Sequence, residues 1–324
     1  MSSPRSFRRT VLMSCAVAVA GALSLSACGG DSGDTQKAGS AGDRQITDAK
    51  GRTVKVPSAP KKVVALSEPT LDAALALGLE PIGATASRGQ KGVSTYLADK
   101  AGKAQVVATV AEADLEKISV LEPDLILLDE TTGAKKTVEK LQAIAPTVVT
   151  AKLKEDWKKS FTDTADALNK KPEAEKWLKD FDTQLADTKK KLGGNAGKSV
   201  SVIRWQDGAP SVVGKGSGVV GSTLKALGMT RPKDQQGASS GHSEPVSLEK
   251  LDTIDGDWMF FGTLGDKADS EKAFGEARKV TNFSSLKAEK EGHVVVIQGS
   301  AWNSSGGPLS AQVVLDDLKG ALTK

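Results

Sequence analysis

Three patterns in this 324-residue chain have residue types that could do chemistry. The first is Gly193-Gly-Asn-Ala-Gly197-Lys198-Ser199. It is one residue short of a phosphate loop, and it leads into strand-like Val200–Trp205, whereas a phosphate loop opens a helix. It reads as a helix terminator. The second, Gly216-x-Gly218-x-x-Gly221, fits a dinucleotide fingerprint in form. It follows strand-like Ser211-Val-Val and precedes a helix, but a lone match deep in the second half of a chain is weak. A glycine turn packed against a helix explains it equally well. The third is the run Ser239, Ser240, His242 and Glu244 in one loop. Catalytic triads are assembled in space rather than in runs. His242 and His293 are the only histidines, and a bare transition metal wants several nitrogen, sulfur or carboxylate ligands. No metal site and no cofactor are expected.

The amino terminus sets the compartment. Arg5, Arg8 and Arg9 precede the apolar run Val11–Ala22, followed by Leu25-Ser26-Ala27-Cys28. This is the layout of a signal peptide, too short for a good spanning helix. The cleavage region resembles a bacterial lipobox, which implies that Cys28 is lipidated. Cys15, the other cysteine, falls in the removed segment, so no internal disulfide is possible. Arg8-Arg9 followed by Val11-Leu12 is faintly similar to a twin-arginine signal. Residues 28–44 are rich in Gly, Ser, Ala and Asp and read as a flexible tether.

The chain has 44 basic and 40 acidic residues, and residues 1–27 hold three of the arginines and none of the acids. The mature balance is therefore close to neutral, which argues against a nucleic-acid partner. About 280 residues remain, enough for two compact domains.

These residues alternate strand-like and helix-like segments. Lys62–Leu66, Pro81–Thr85, Val106–Val110, Asp124–Leu128 and Thr147–Thr150 are apolar strand candidates, with helix patterns at Pro69–Leu77 and Asp114–Leu121. Such alternation predicts α/β units on largely parallel sheets. The scheme then repeats. Residues 114–128 and 247–261 align without a gap at an offset of 133, sharing Leu-Glu-Lys and the final Asp at 124 and 257. Two related lobes follow. Between them Pro172 starts a stripe of Ala174, Trp177, Leu178, Phe181, Leu185 and Leu192, which predicts one helix of about 20 residues, roughly 30 Å long. The expected organisation is an α/β fold of two Rossmann-like lobes, residues 45–155 and 197–324. One long helix within a 156–196 linker joins them, and a ligand cleft lies between. A stiff connector predicts modest closure.

At this point the sequence resembles the iron–siderophore binding proteins of bacterial ABC importers over roughly residues 45–322. The carrying motifs are Val63-Val-Ala-Leu-Ser-Glu-Pro-Thr-Leu-Asp72, Pro123-Asp124-Leu-Ile-Leu, Val202-Ile-Arg204-Trp205 and Trp302-Asn-Ser-Ser-Gly306-Gly307-Pro308. The resemblance implies binding of a ferric chelate outside the cell and delivery to a permease with its ATPase, without enzymatic chemistry. It also implies a lipid-anchored monomer. A hydroxamate such as a ferrioxamine shields its iron in oxygens, so the protein needs cationic forks and aromatic faces rather than metal ligands. Arg88 follows the second strand where a lobe edge should face the cleft. Arg204 resembles the family's oxygen-binding arginine. Tyr96, Trp205 and Trp302 are the aromatic candidates. Adjacent strand residues point to opposite faces, so Arg204 and Trp205 share the cleft only if the strand has ended. Trp177 and Trp258 are expected in the core, and Trp157 stays open. The family's acidic permease contacts align with Asp72 in the first lobe but with Lys225 in the second.

Other readings remain. Cobalamin or haem are rival ligands, and Tyr96 is available to haem iron. A catecholate would demand more Arg and Lys than two arginines, which leans toward hydroxamate. A secreted α/β enzyme using residues 214–221, or an adhesion module, are the alternatives from other classes.

Overall fold

The computed structural model describes residues 42–215, 218–237 and 242–323. The signal segment, Cys28, Gly216, Ser239 and Ser240 lie outside the described residues. Asp43 and Arg44, expected in the tether, belong to a strand. Strand β1 (Asp43–Thr47) pairs antiparallel with β2 (Thr53–Pro57). Ile46, Val54 and Val56 turn inward and are buried, and Arg44 forms an ion pair with Asp166 at 3.1 Å.

Five short parallel strands build the first lobe: β3 (Val63–Ala65), β4 (Gly83–Thr85), β5 (Gln105–Ala108), β6 (Leu125–Leu128) and β7 (Thr147–Val149). Their order is β5-β4-β3-β6-β7. β3 and β6, in the middle, are wholly apolar and wholly buried. Helices cover both faces of such a sheet, so unbroken apolar runs replace alternation. The second lobe has β8 (Val200–Gln206), β9 (Ala209–Val212), β10 (Trp258–Gly262) and β11 (Val294–Val296), in the order β11-β10-β8-β9. β10 runs parallel to both β8 and β11, and β9 folds back antiparallel on β8.

The repeat at offset 133 has a structural counterpart. Asp114 caps the helix Leu115–Val120 by accepting from Lys117 N, and Ser247 caps the 3-10 turn Leu248–Ile254 by accepting from Glu249 N. Each unit then enters a strand through its shared aspartate. The Asp124 carboxylate accepts from Lys61 N and Lys62 N at 2.7 and 3.0 Å, tying the start of β6 to its neighbour β3. The Asp257 carboxylate accepts from Ser199 N at 2.8 Å and from its hydroxyl at 3.1 Å, tying β10 to β8 in the same way. Both aspartates satisfy amides at the sheet's entry edge, where strand pairing has not yet begun.

The connecting helix is Lys171–Lys190, 20 residues, with Pro172 in its first turn. Ala174, Phe181 and Leu185 are buried as the stripe requires. Trp177 and Leu178 pack against the core of both lobes. Trp177 stacks on Phe181, one turn along, with centroids 5.2 Å apart, and meets Trp157 and Phe161 edge-on. The connector is therefore glued along its length rather than free. Asp257→Ala should lower stability by about 1–3 kcal/mol, because two donors at the sheet edge lose their acceptor. Asp124→Ala should cost a similar amount. Urea unfolding with an unchanged m-value checks both.

Candidate ligand-binding cleft

In a parallel sheet the loops leaving the carboxyl ends of the strands converge on one edge. The first turn of the helix Glu68–Ala76, which follows β3, brings Pro69 to the cleft, and the loop after β4 brings Arg88. The loop after β6 contributes Asp129 and Thr131, and the segment after β7 contributes residues 151–155. Across from them stand Val213, Gly214 and Val219–Val220 of the second lobe, with residues 304–308. The cavity between measures about 230 Å³. Trp157 and Phe161, on the helix Trp157–Ala167, give its apolar wall. Trp157 also crosses between lobes, donating from Nε1 to the Ser222 hydroxyl at 3.0 Å.

Arg88 is exposed at the cleft and takes part in no ion pair among the described residues. Arg204 lies on β8 on the same face as Val202, whose cluster includes the cleft residues Val213, Val219 and Val220, but it stands behind the cavity wall and does not itself line the cavity. It is 5% exposed, and its Nε finds no partner among the described residues. Burial, then the nearby Arg88 charge, lowers its pKa. Two guanidiniums within electrostatic reach, without a counter-ion, repel each other and are stabilised when an anionic group sits between them.

The remaining expected contacts are placed differently. Trp205 points to the opposite face of β8, where it packs on Phe261 and Phe283 in the core, so it is not a cleft residue. The strand runs on to Gln206, so alternation holds through this position. Trp302 contributes to the cleft floor but is 1% exposed. One face stacks on Phe260 at 4.8 Å, and its Nε1 donates to Asp317 at 2.8 Å, so no free ring face is offered. Tyr96 does not line the cleft. Its hydroxyl donates to Asp72 Oδ2 at 2.7 Å.

Asp72 itself is the largest correction. A permease contact must be exposed, and Asp72 is fully buried. Its carboxylate accepts from Gly307 N, Leu309 N and Ser310 N at 3.0, 2.7 and 3.0 Å, besides Tyr96. It caps in trans the helix Pro308–Leu322, whose own cap residue is a glycine with no side chain to offer. Burial still holds the pKa of Asp72 above the usual carboxylate value, against the pull of these donors. The Gly306-Gly307 pair has its reason here. A Cβ on Gly307 would meet Asp72 at 3.0 Å, and one on Gly306 would meet Ser310 at 2.2 Å. Lys225 lies exposed on the helix Gly218–Leu227.

One turn before Asp72, Glu68 makes a second crossing. It accepts from Ser87 of the first lobe at 3.1 Å and from the Ser304 hydroxyl of the second. Burial raises its pKa to about 7.

Trp157, left open by the sequence, lines the cleft, and the sequence does not single out Phe161 or the segment 151–155. The available signal was positional, since that segment follows the end of a parallel strand.

The comparisons with known proteins agree with this architecture. A family model described as periplasmic binding protein matches residues 63–301. The chain belongs to the periplasmic binding protein family. It is a substrate-binding protein, not an enzyme. It is 31% identical over 303 residues to the probable siderophore-binding lipoprotein YfiY of Bacillus subtilis, covering 91% of this chain and 93% of that one. The iron(3+)-hydroxamate-binding protein FhuD of the same organism is 29% identical over 311 residues, covering 93% and 94%. Staphylococcus aureus SirA complexed with staphyloferrin B superposes with a TM-score of 0.71 at 27% identity, covering 86% of this chain and 98% of SirA.

Two outcomes follow for the seam. Asp72→Ala should destabilise the protein by about 3–5 kcal/mol, since four donors are left buried without an acceptor. Tyr96→Phe should cost about 1–2 kcal/mol and leave ligand affinity unchanged. Denaturant unfolding and ligand titration of the same variants check both. Glu68 gives a pH signature. Its native carboxyl holds its proton up to about pH 7, whereas the unfolded carboxyl releases it near 4.5. The native state binds more protons in that window, so stability falls as pH rises through it, by an upper limit of about 3 kcal/mol. Burial raises Asp72 and Asp129 too, which adds in the same direction. Glu68→Gln should flatten the slope by about one proton in denaturant midpoints measured from pH 4.5 to 7.5.

Proposed function

We propose that the chain captures a ferric siderophore in this cleft and delivers it to an ABC importer, held at the outer face of the membrane by lipid on Cys28. The observation that carries the reading is the pair Arg88 and Arg204. Arg88 lines the cavity from the first lobe, Arg204 is buried on β8 of the second within its electrostatic reach, and neither has a carboxylate partner among the described residues. Chelating oxygens at the edge of a ferric complex are the group such a pair fits, because guanidinium presents several donors in a fixed fork. Trp157 and Phe161 supply the apolar wall for an organic skeleton. YfiY is named a probable siderophore-binding lipoprotein, FhuD an iron(3+)-hydroxamate-binding protein, and the SirA that superposes on this chain is complexed with staphyloferrin B.

Two arginines would suffice for a hydroxamate, the class that needs few cationic donors, and the lysines at the mouth of the cleft exceed that need. A haem reading loses support, since the only tyrosine is committed to Asp72.

Tryptophan fluorescence tests the proposal. Ferric siderophores should quench the protein's emission, and Trp157→Phe should remove a large share of the quench while binding persists. Arg204→Ala should weaken binding by about tenfold or more, mainly through faster release. Quenching by cobalamin or haem with none by any ferric siderophore would contradict the proposal.

A further inference from the structure

Beyond the two arginines, the cleft carries charge that a neutral ferric hydroxamate does not use. Lys152 and Lys154 both line its mouth, and neither enters an ion pair among the described residues. Nearby lysines on the same stretch behave differently. Lys158 pairs with Asp182 at 2.5 Å, and Lys159 pairs with Asp163 one turn along its helix.

The segment holding these two lysines is built rather than loose. Leu153 N donates to Glu130 Oε2 at 2.9 Å, and Glu130 is in turn held by Lys50. Glu155 N donates back to Lys152 O at 3.1 Å, closing a turn. Lys154 sits within that turn in left-handed backbone at φ +69°. Such backbone is strained for a lysine and persists where surrounding bonds determine it. The turn places both lysines at the cleft, on either side of Leu153, which is 56% exposed.

A further cation stands behind the opposite wall. Arg231 donates from Nη1 to Gly214 O and from Nη2 to Val213 O, at 2.8 and 2.9 Å. Both carbonyls belong to cleft residues. Its other partner among the described residues is the Gln235 side chain, so no acid there neutralises it. Two carboxylates line the same space. Asp129 is 2% exposed and accepts from Thr131 N and its hydroxyl, while Glu155 is half-buried. Arg88, Lys152 and Lys154 line the space beside these two carboxylates, and Arg204 and Arg231 add positive charge from behind its wall.

We infer that the cleft selects a ferric complex with net negative charge, of carboxylate or catecholate type, and that Lys152 and Lys154 are the residues that determine this preference. The inference rests on the ferric siderophore reading and narrows it away from neutral hydroxamates. Cations that stay unpaired in the free protein gain from an anionic ligand and gain little from a neutral one, which makes them a selectivity device. Because both lysines are exposed, their contribution is screened by salt.

The test uses the full chain and three probes: ferric citrate, a ferric tris-catecholate and ferrichrome as a neutral trihydroxamate. Binding is titrated by fluorescence at low and high salt for the wild type and for Lys152→Gln/Lys154→Gln. Expected is preference for an anionic complex over ferrichrome by about tenfold or more at low salt, narrowing at high salt. The double variant should lose about tenfold for the anionic complex and keep its ferrichrome affinity. Both substitutions lie at exposed positions, and an unchanged melting curve will show that the variant is folded. Preferred binding of ferrichrome, or anionic binding indifferent to the double substitution, overturns this inference and leaves the siderophore reading standing. Failure of all three probes overturns both.

Discussion

A single buried carboxylate fastens this molecule. Asp72 leaves a helix of the first lobe and takes up every free amide in the opening turn of the C-terminal helix, with the Tyr96 hydroxyl as a fourth donor. The C-terminal helix packs on elements of both lobes. Its position therefore sets how the lobes face each other. The same seam continues outward. Glu68 bridges Ser87 and Ser304, Gln90 donates to Leu264 O at 2.7 Å, and Thr95 meets Ser300 at 2.8 Å. Arg88 lies in the stretch these contacts pin. The approach of Arg88 to the buried Arg204 is thus a consequence of the seam, since neither arginine has an ion-pair partner of its own among the described residues.

The opposite side of the cleft is closed by hydrophobic rather than ionic means. Trp157, Phe161, Trp177 and Phe181 form a packed aromatic group where the connecting helix meets both lobes. Close-packed interiors resist continuous deformation. With polar bonds on one flank and packed rings on the other, the lobes have little freedom to swing, and capture relies on a cleft already lined with cations.

Much of this was legible in the residues. The offset of 133 reflected two units that share a mechanism, an aspartate holding the start of a neighbouring strand, and so it survived where overall similarity did not. The stripe from Ala174 to Leu185 gave the connecting helix because helical periodicity is a local property. The site was read less well, for reasons that are equally physical. Asp72 and Tyr96 are a polar pair of the kind found at exposed contacts, and nothing local reveals that a glycine-initiated helix 235 residues away will bury them. Trp205 and Arg204 are neighbours whose side chains part to opposite faces of β8. Trp302 belongs to a motif at the cleft yet turns its ring inward to Phe260 and Asp317. Lys152 and Lys154 were invisible as a pair, because an unpaired lysine is recognised only once all possible partners are placed.

Native mass spectrometry of the full chain, incubated with iron-replete siderophore extract from its own host and then desalted, tests the central claim most directly. The account predicts one ligand per chain, with the isotope signature of iron, lost when Arg204 is replaced by alanine. An iron-free adduct, or none while the protein remains folded, would contradict it.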